Sequence, residues 1–232
     1  MRPSILLLAG FGDGSEMFAN LLSTPLALRF NLKPVDLPGF GGTPKLAGKT
    51  SLAALADFVC ETVEQVDARI LIAHSASSII ASLVAIKKPI ETILSIEGNI
   101  TLDDAYFSGM AADFDDPFVF KDAFLSRLKN LSETNPIYRR YYGMVRLADA
   151  AALWELGCDV KRLSGTQMPG ELLARAAKVH YFFNPENCPA STIEWLRGGH
   201  VNPIEMKSAS HWMSVDQPNE LAEQIIRALD IV

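Results

Sequence analysis

The sequence predicts an α/β protein, a doubly wound, mostly parallel sheet of about six strands with an inserted helical cap. Three observations predict it. Short runs of apolar residues recur along the chain, and they are continuous rather than alternating, as in strands covered on both faces. Stretches of helical spacing separate these runs, and strands alternating with helices specify parallel crossovers. One long stretch, 99–177, breaks the rhythm: it holds helical patterns and no convincing strand.

The first strand is Ile5-Leu6-Leu7-Leu8-Ala9, stopped by Gly10. The second is 33–37. A helix over 51–66 follows, with Leu52, Leu55, Phe58, Val59, Thr62, Val63 and Val66 at helical spacing and Thr50 or Ser51 as its cap. The third strand, 69–74, runs directly into an apolar helix over 77–86. The fourth is 92–96. Within 99–177, Phe120, Phe124, Leu128 and Leu131 share one helical face, and Leu153, Trp154 and Leu156 mark another helix. Strands at 178–183 and 203–208 follow; the latter is less apolar and suits a sheet edge. A helix over 218–229 closes the chain, with Leu221, Ile225 and Leu229 on one face. The organisation expected is a core of 1–98 and 178–232 with 99–177 as the cap. That cap is rich in aromatics, including Tyr106, Tyr138 and Tyr141. Most serve its own packing, but ligand sites favour domain junctions with apolar walls. Phe107, Phe114, Tyr142 and Trp212 are the candidates for lining such a pocket.

Composition narrows the function. The 232 residues are 49% hydrophobic, enough for a full core. The net charge is −6, and the basic residues come in short pairs such as Lys87-Lys88, Arg139-Arg140 and Lys161-Arg162. Isolated pairs are solvated surface and argue against a nucleic-acid partner. The three cysteines, Cys60, Cys158 and Cys188, show no metal-ligand or disulfide spacing. The apolar run at 5–9 is too short for a signal-peptide core or a membrane span. A cytoplasmic protein without metal, cofactor or membrane partner is expected.

The chemistry is sharpest at Ala73-His74-Ser75-Ala76-Ser77, where a buried strand meets a helix. A nucleophile at such an elbow needs small residues two before and two after it, and Ala73 and Ser77 are small. The bland alternative is a serine that caps a helix. At the elbow, the Ala76 N–H lies at a helix start and can stabilise an oxyanion; the Phe11 N–H, in Gly10-Phe11-Gly12-Asp13-Gly14, can be a second donor. A serine hydroxyl needs a base. Of the four histidines, His74 adjoins the nucleophile along the chain and points elsewhere, His180 falls inside a strand, and His200 precedes the last strand. His211 follows the last strand, on the edge where α/β sites form, and is the candidate base. A dinucleotide site is disfavoured because Gly10, Gly12 and Gly14 lack the G-x-G-x-x-G spacing.

Gly10-Phe11-Gly12, Asp36-Leu37-Pro38-Gly39-Phe40-Gly41, Ala73 to Ser77 and His211-Trp212-Met213 stand in an order that resembles the α/β-hydrolase superfamily. The likeness covers almost the whole chain outside the cap. It implies an oxyanion loop, a turn in which Asp36 is structural, a nucleophile elbow and a histidine loop. It departs from the pattern in two places. The chain starts at what resembles the family's third strand, so the first hairpin is expected to be absent, and the elbow glycines are replaced.

The resemblance also implies an acid after the strand preceding the histidine strand, where this chain has Asn187 in Phe183-Asn184-Pro185-Glu186-Asn187. An amide there carries no charge and can hold the wrong imidazole tautomer. Glu97, ending the fourth strand, is the leading replacement, as in family members such as certain haloalkane dehalogenases that carry the acid after the equivalent strand. Its bland reading is a structural carboxylate at the cap junction. Glu186 is the alternative acid, whereas Asp103 and Asp104 read as first-turn acids of a helix. The function expected is hydrolysis of a small carboxylic ester-like substrate through an acyl-enzyme on Ser75. A lyase or C–C bond hydrolase using the same residues, and a non-catalytic ligand-binding protein on this fold, are the alternatives.

Overall fold

A computed structural model describes residues 2–230. Its centre is one six-stranded sheet, every pairing parallel, in the order β2-β1-β3-β4-β5-β6. The strands are β1 (Ser4–Leu8), β2 (Asn31–Val35), β3 (Ala68–His74), β4 (Thr92–Ile96), β5 (Lys178–Phe183) and β6 (Asn202–Glu205). Ile5 to Leu8 are fully buried and so are Leu71 to Ala73, so both faces of the sheet centre are covered. On one layer α2 (Leu52–Val66), α3 (Ser77–Lys87) and α7 (Pro169–Ala176) pack side by side; in the other α1 (Leu26–Arg29) packs on the C-terminal helix α9 (Pro218–Asp230). The doubly wound arrangement follows from these continuous apolar strands, which leave no face for water.

Two strands end earlier than their apolar patterns suggest. β2 stops at Val35, because Leu37 already opens the turn closed by the Phe40 N–H on the Leu37 carbonyl. β6 stops at Glu205, because Ala209 turns back onto the Met206 carbonyl. The short helix α8 (Ala190–Arg197) between β5 and β6 has no counterpart in the sequence reading; only Thr192, Trp195 and Leu196 are buried on its eight residues, too few for a clear period.

Between β4 and α7 every regular element is helical. The stretch holds two 3-10 turns, Leu102–Ala105 and Ser108–Asp113, then α4 (Pro117–Ser132), α5 (Pro136–Leu147) and α6 (Ala150–Thr166). Local chemistry sets these helices: Asp116, Asn135 and Asp149 each cap an N-terminus through their side chains, and proline occupies the first position of α4 and α5. Phe120, Phe124 and Leu128 of α4 face inward with Tyr141 and Val145 of α5. Among the described residues no helix is long and apolar enough to cross a membrane.

Candidate active site

Ser75 sits where β3 becomes α3, with φ at +53°. A non-glycine residue in this region is strained by about 1–3 kcal/mol and persists only where its surroundings enforce it. Here they do. The Ser75 N–H donates to the Ile96 carbonyl of β4 at 2.9 Å, and its own carbonyl accepts from Ser78 N at 3.0 Å. Ser77 stands where the family's second elbow glycine would be. Its hydroxyl donates to the Ala9 carbonyl at the end of β1, so the replacement ties the elbow to the neighbouring loop.

That loop comes very close. A Cβ at position 10 would lie 2.6 Å from His74 Nδ1 and 3.0 Å from Ser75 Cβ, so only glycine fits. Beyond it, the Phe11 carbonyl accepts from the Tyr141 hydroxyl at 2.6 Å. Neither the Phe11 N–H nor the Ala76 N–H has a protein acceptor among the described residues, which leaves both donors free beside Ser75.

His211 follows β6. Its Nδ1 lies 2.7 Å from Glu97 Oε2, and Glu97 is 5% exposed. Glu97 itself has φ at +40°, a second left-handed residue at the end of the adjacent strand. Its other oxygen, Oε1, accepts from the Asn184 N–H at 3.0 Å and from Asn187 Nδ2 at 2.8 Å. Asn187 also donates to the Ala209 carbonyl, as does Asn184 Nδ2. The amide at the family's usual acid position therefore braces the carboxylate and the histidine loop together. Glu186 is exposed and, among the described residues, makes no hydrogen bond or ion pair with His211; its N–H closes a local turn on the Asn184 side chain.

Ser75 and His211 line one small, partly open cavity of about 20 Å³ with Phe11, Asp13, Phe107, Tyr141 and Trp212. Of the four residues expected at a pocket wall, Phe107 and Trp212 stand there. Phe114 instead packs on Phe120 at 5.6 Å between ring centres and gives its carbonyl to Trp154, inside the helical stretch. Tyr142 lines none of the cavities described; Tyr141, one residue earlier on α5, faces the site, and a helix turns about 100° per residue. His200 stacks on Trp195 and His180 bonds Asn202, so neither competes with His211. Asp36 is a turn residue that accepts from the Ser15 N–H at 2.6 Å. Asp104 forms a capping box with Thr101.

Two features of the site escaped the sequence reading. Asp13 is buried and accepts two bonds from Arg140 on α5, one from Trp212 Nε1 and one from Gly14 N. It links the β1 loop, the helical stretch and the histidine loop; an acidic residue inside a glycine loop was the available signal. His74, buried, approaches the His211 carbonyl through Nε2 at 2.9 Å. A carbonyl only accepts, so Nε2 carries the proton, and Nδ1 is buried with no partner among the described residues. Burial, with the His211 charge next, holds the His74 pKa well below its usual value, so this ring stays neutral.

A strained serine at a strand-to-helix elbow, two free N–H groups near it and a carboxylate-bound imidazole meet at one cavity on the edge of a parallel α/β sheet. The profile of the Alpha/beta hydrolase family matches residues 5–224, and the chain belongs to that family. Its fold is similar to an esterase from Exiguobacterium antarcticum (TM-score 0.76, 14% identity, covering 98% of this chain and 92% of that one). It is similar also to a putative aryl esterase from Burkholderia cenocepacia (TM-score 0.78, 13% identity, 99% and 90% covered). In sequence, 117 residues are 32% identical to the dihydrolipoyllysine-residue acetyltransferase component of the acetoin cleaving system of Cupriavidus necator. That match spans 48% of this chain and 30% of the relative.

Proposed function

We propose that the protein is a serine hydrolase that cleaves small carboxylic esters through an acyl-enzyme on Ser75. The observation that carries this reading is the 2.7 Å contact between His211 Nδ1 and the buried Glu97 carboxylate, with His211 and Ser75 on one cavity. Glu97 holds Nδ1 protonated and leaves Nε2 unprotonated, ready to take the Ser75 proton. Ser75 Oγ attacks the ester carbonyl carbon, and the oxyanion is held by the Phe11 and Ala76 N–H groups. The carbon–oxygen bond to the alcohol breaks as His211 returns the proton to the leaving oxygen. Water, deprotonated by His211, then attacks the acyl carbon; the acid departs and Ser75 regains its proton. The helices between β4 and α7 act as the cap that keeps bulk water from the site. The esterases of similar fold support the substrate class.

The bracing of Glu97 by Asn187 weighs against the non-catalytic alternative, which rested on the missing acid. Treatment with a fluorophosphonate probe tests the reading. The expected result is a covalent adduct on Ser75 that Ser75→Ala abolishes, with p-nitrophenyl acetate hydrolysis lost in the same variant. A folded, unlabelled wild-type protein would overturn it.

A further inference from the structure

The space around His211 is sharply unequal on its two sides. On the Ser75 side the cavity holds about 20 Å³, room for one water-sized group. On the other side an open groove of about 330 Å³ runs along Tyr106, Ile137, Tyr138 and Trp212, with Asn135 and Asn187 on its rim. Tyr106, His211 and Trp212 border both spaces and form the partition.

The small side has no slack. Phe11, Phe107 and Tyr141 border it, and all three rings lean on the fully buried Phe124, at 5.9, 5.8 and 6.2 Å between centres. Widening this space means displacing a packed aromatic cluster, and overpacking such a cluster is destabilising. The groove is different. Its walls are aromatic and apolar, its rim carries amides, and apart from His211 and two phenols it bears no ionisable side chain.

The chemistry decides which part of an ester goes where. His211 must deliver its proton to the leaving oxygen, so the alcohol lies on the imidazole side of Ser75. The acyl group lies on the side closed by Phe11, Phe107 and Tyr141. Resting on the hydrolase reading above, we propose that the substrates are acetate esters of neutral aromatic or amphipathic alcohols, with the acetyl methyl in the small cavity and the alcohol in the groove beyond Tyr106. Tyr106 packs at a tilt against Phe107, 4.9 Å between ring centres, and stands 6.4 Å from the His211 ring, where it contacts the alcohol.

Chain-length profiles test this directly. With the alcohol kept as p-nitrophenol, kcat/KM is expected to fall about tenfold or more from acetate to butyrate, and further to hexanoate. With the acyl group kept as acetyl, phenyl and 2-naphthyl esters are expected to react within about threefold of each other. Phe107→Ala narrows the acetate-to-butyrate ratio, whereas Tyr106→Ala leaves that ratio and raises KM for aryl acetates. Butyrate or hexanoate turned over as well as acetate by the wild-type protein overturns the assignment. Acid-quench mass spectrometry separates the two levels: an acetyl or butyryl adduct on Ser75 with a flat profile overturns only the acyl-size limit. No adduct and no turnover with any ester overturns the hydrolase reading and this one with it.

Discussion

The two halves of the site are built by different means. The Ser75 half is local: Ala73 to Ser77 form one continuous turn, and its strain is held by Ile96 and by the Ser77 hydroxyl on Ala9. The Glu97–His211 half is assembled from three segments far apart in the chain, ending β4, following β5 and following β6. A local half stores strain in one residue and needs few partners. A distributed half stores none of its precision in any one segment, and depends on hydrogen bonds among Glu97, Asn184, Asn187 and Ala209. A fault should therefore propagate differently in the two halves.

The largest effect expected is in the distributed half. Glu97→Gln keeps the shape but removes the charge and admits the wrong imidazole tautomer, so kcat for an activated ester should fall about 10³–10⁴-fold with little change in KM. Glu186→Gln should stay within about twofold of wild type; if the two variants behave alike, the acid–base half has been misassigned. Asn187→Ala removes one donor to Glu97 and one to Ala209 without touching His211. A loss of about tenfold in kcat is expected, worth about 1.4 kcal/mol. An Asn187→Ala variant with wild-type kcat would mean that Asn184 alone suffices.

The two halves meet at His74, and pH acts on them there. His74 belongs to the local half by sequence and to the distributed half by its bond to the His211 carbonyl. Its folded pKa lies well below 6.5, because burial disfavours the imidazolium. Below about pH 6.5 the unfolded chain takes up a proton that the folded chain refuses. Its contribution to stability is therefore full above pH 6.5 and declines as pH falls, by up to about 1.4 kcal/mol per pH unit. His180, also held low by burial, acts in the same direction, so urea unfolding of His74→Gln beside wild type at pH 7.5 and 5.5 isolates the His74 share. A His74→Gln variant as pH-sensitive as wild type would assign the effect elsewhere.

The smallest effect concerns strain in the local half. Ser75→Gly removes the left-handed penalty and should raise stability by up to about 1 kcal/mol while abolishing turnover. Denaturant midpoints read this against Ser75→Ala, which loses activity but keeps the strained φ. Equal stability of the two would show that the elbow stores no strain.

Much of this architecture is legible along the chain. Continuous apolar runs specified buried parallel strands, and β4 and β5 fall where their patterns place them, since a fully buried strand tolerates little else. The elbow and the Gly10 loop are legible for the same reason: strain and close approach restrict residue types at fixed positions. The helix α8 was not legible, because eight half-exposed residues carry too little period. Nor was the role of Asn187. As a letter it marks a missing charge; in the fold its amide donates to Glu97, because β4 lies beside β5 and brings the two loops within 2.8 Å.

Residue order was thus enough for the family, through motifs spaced along the whole chain, and for the strand-to-helix elbow at Ser75, where small residues within two positions of it mark the turn. Packing alone decided which carboxylate meets His211, which aromatic rings close the cavity and which of Tyr141 and Tyr142 faces it. Those choices depend on strand adjacency and helix rotation, and neither is written at any single position of the chain.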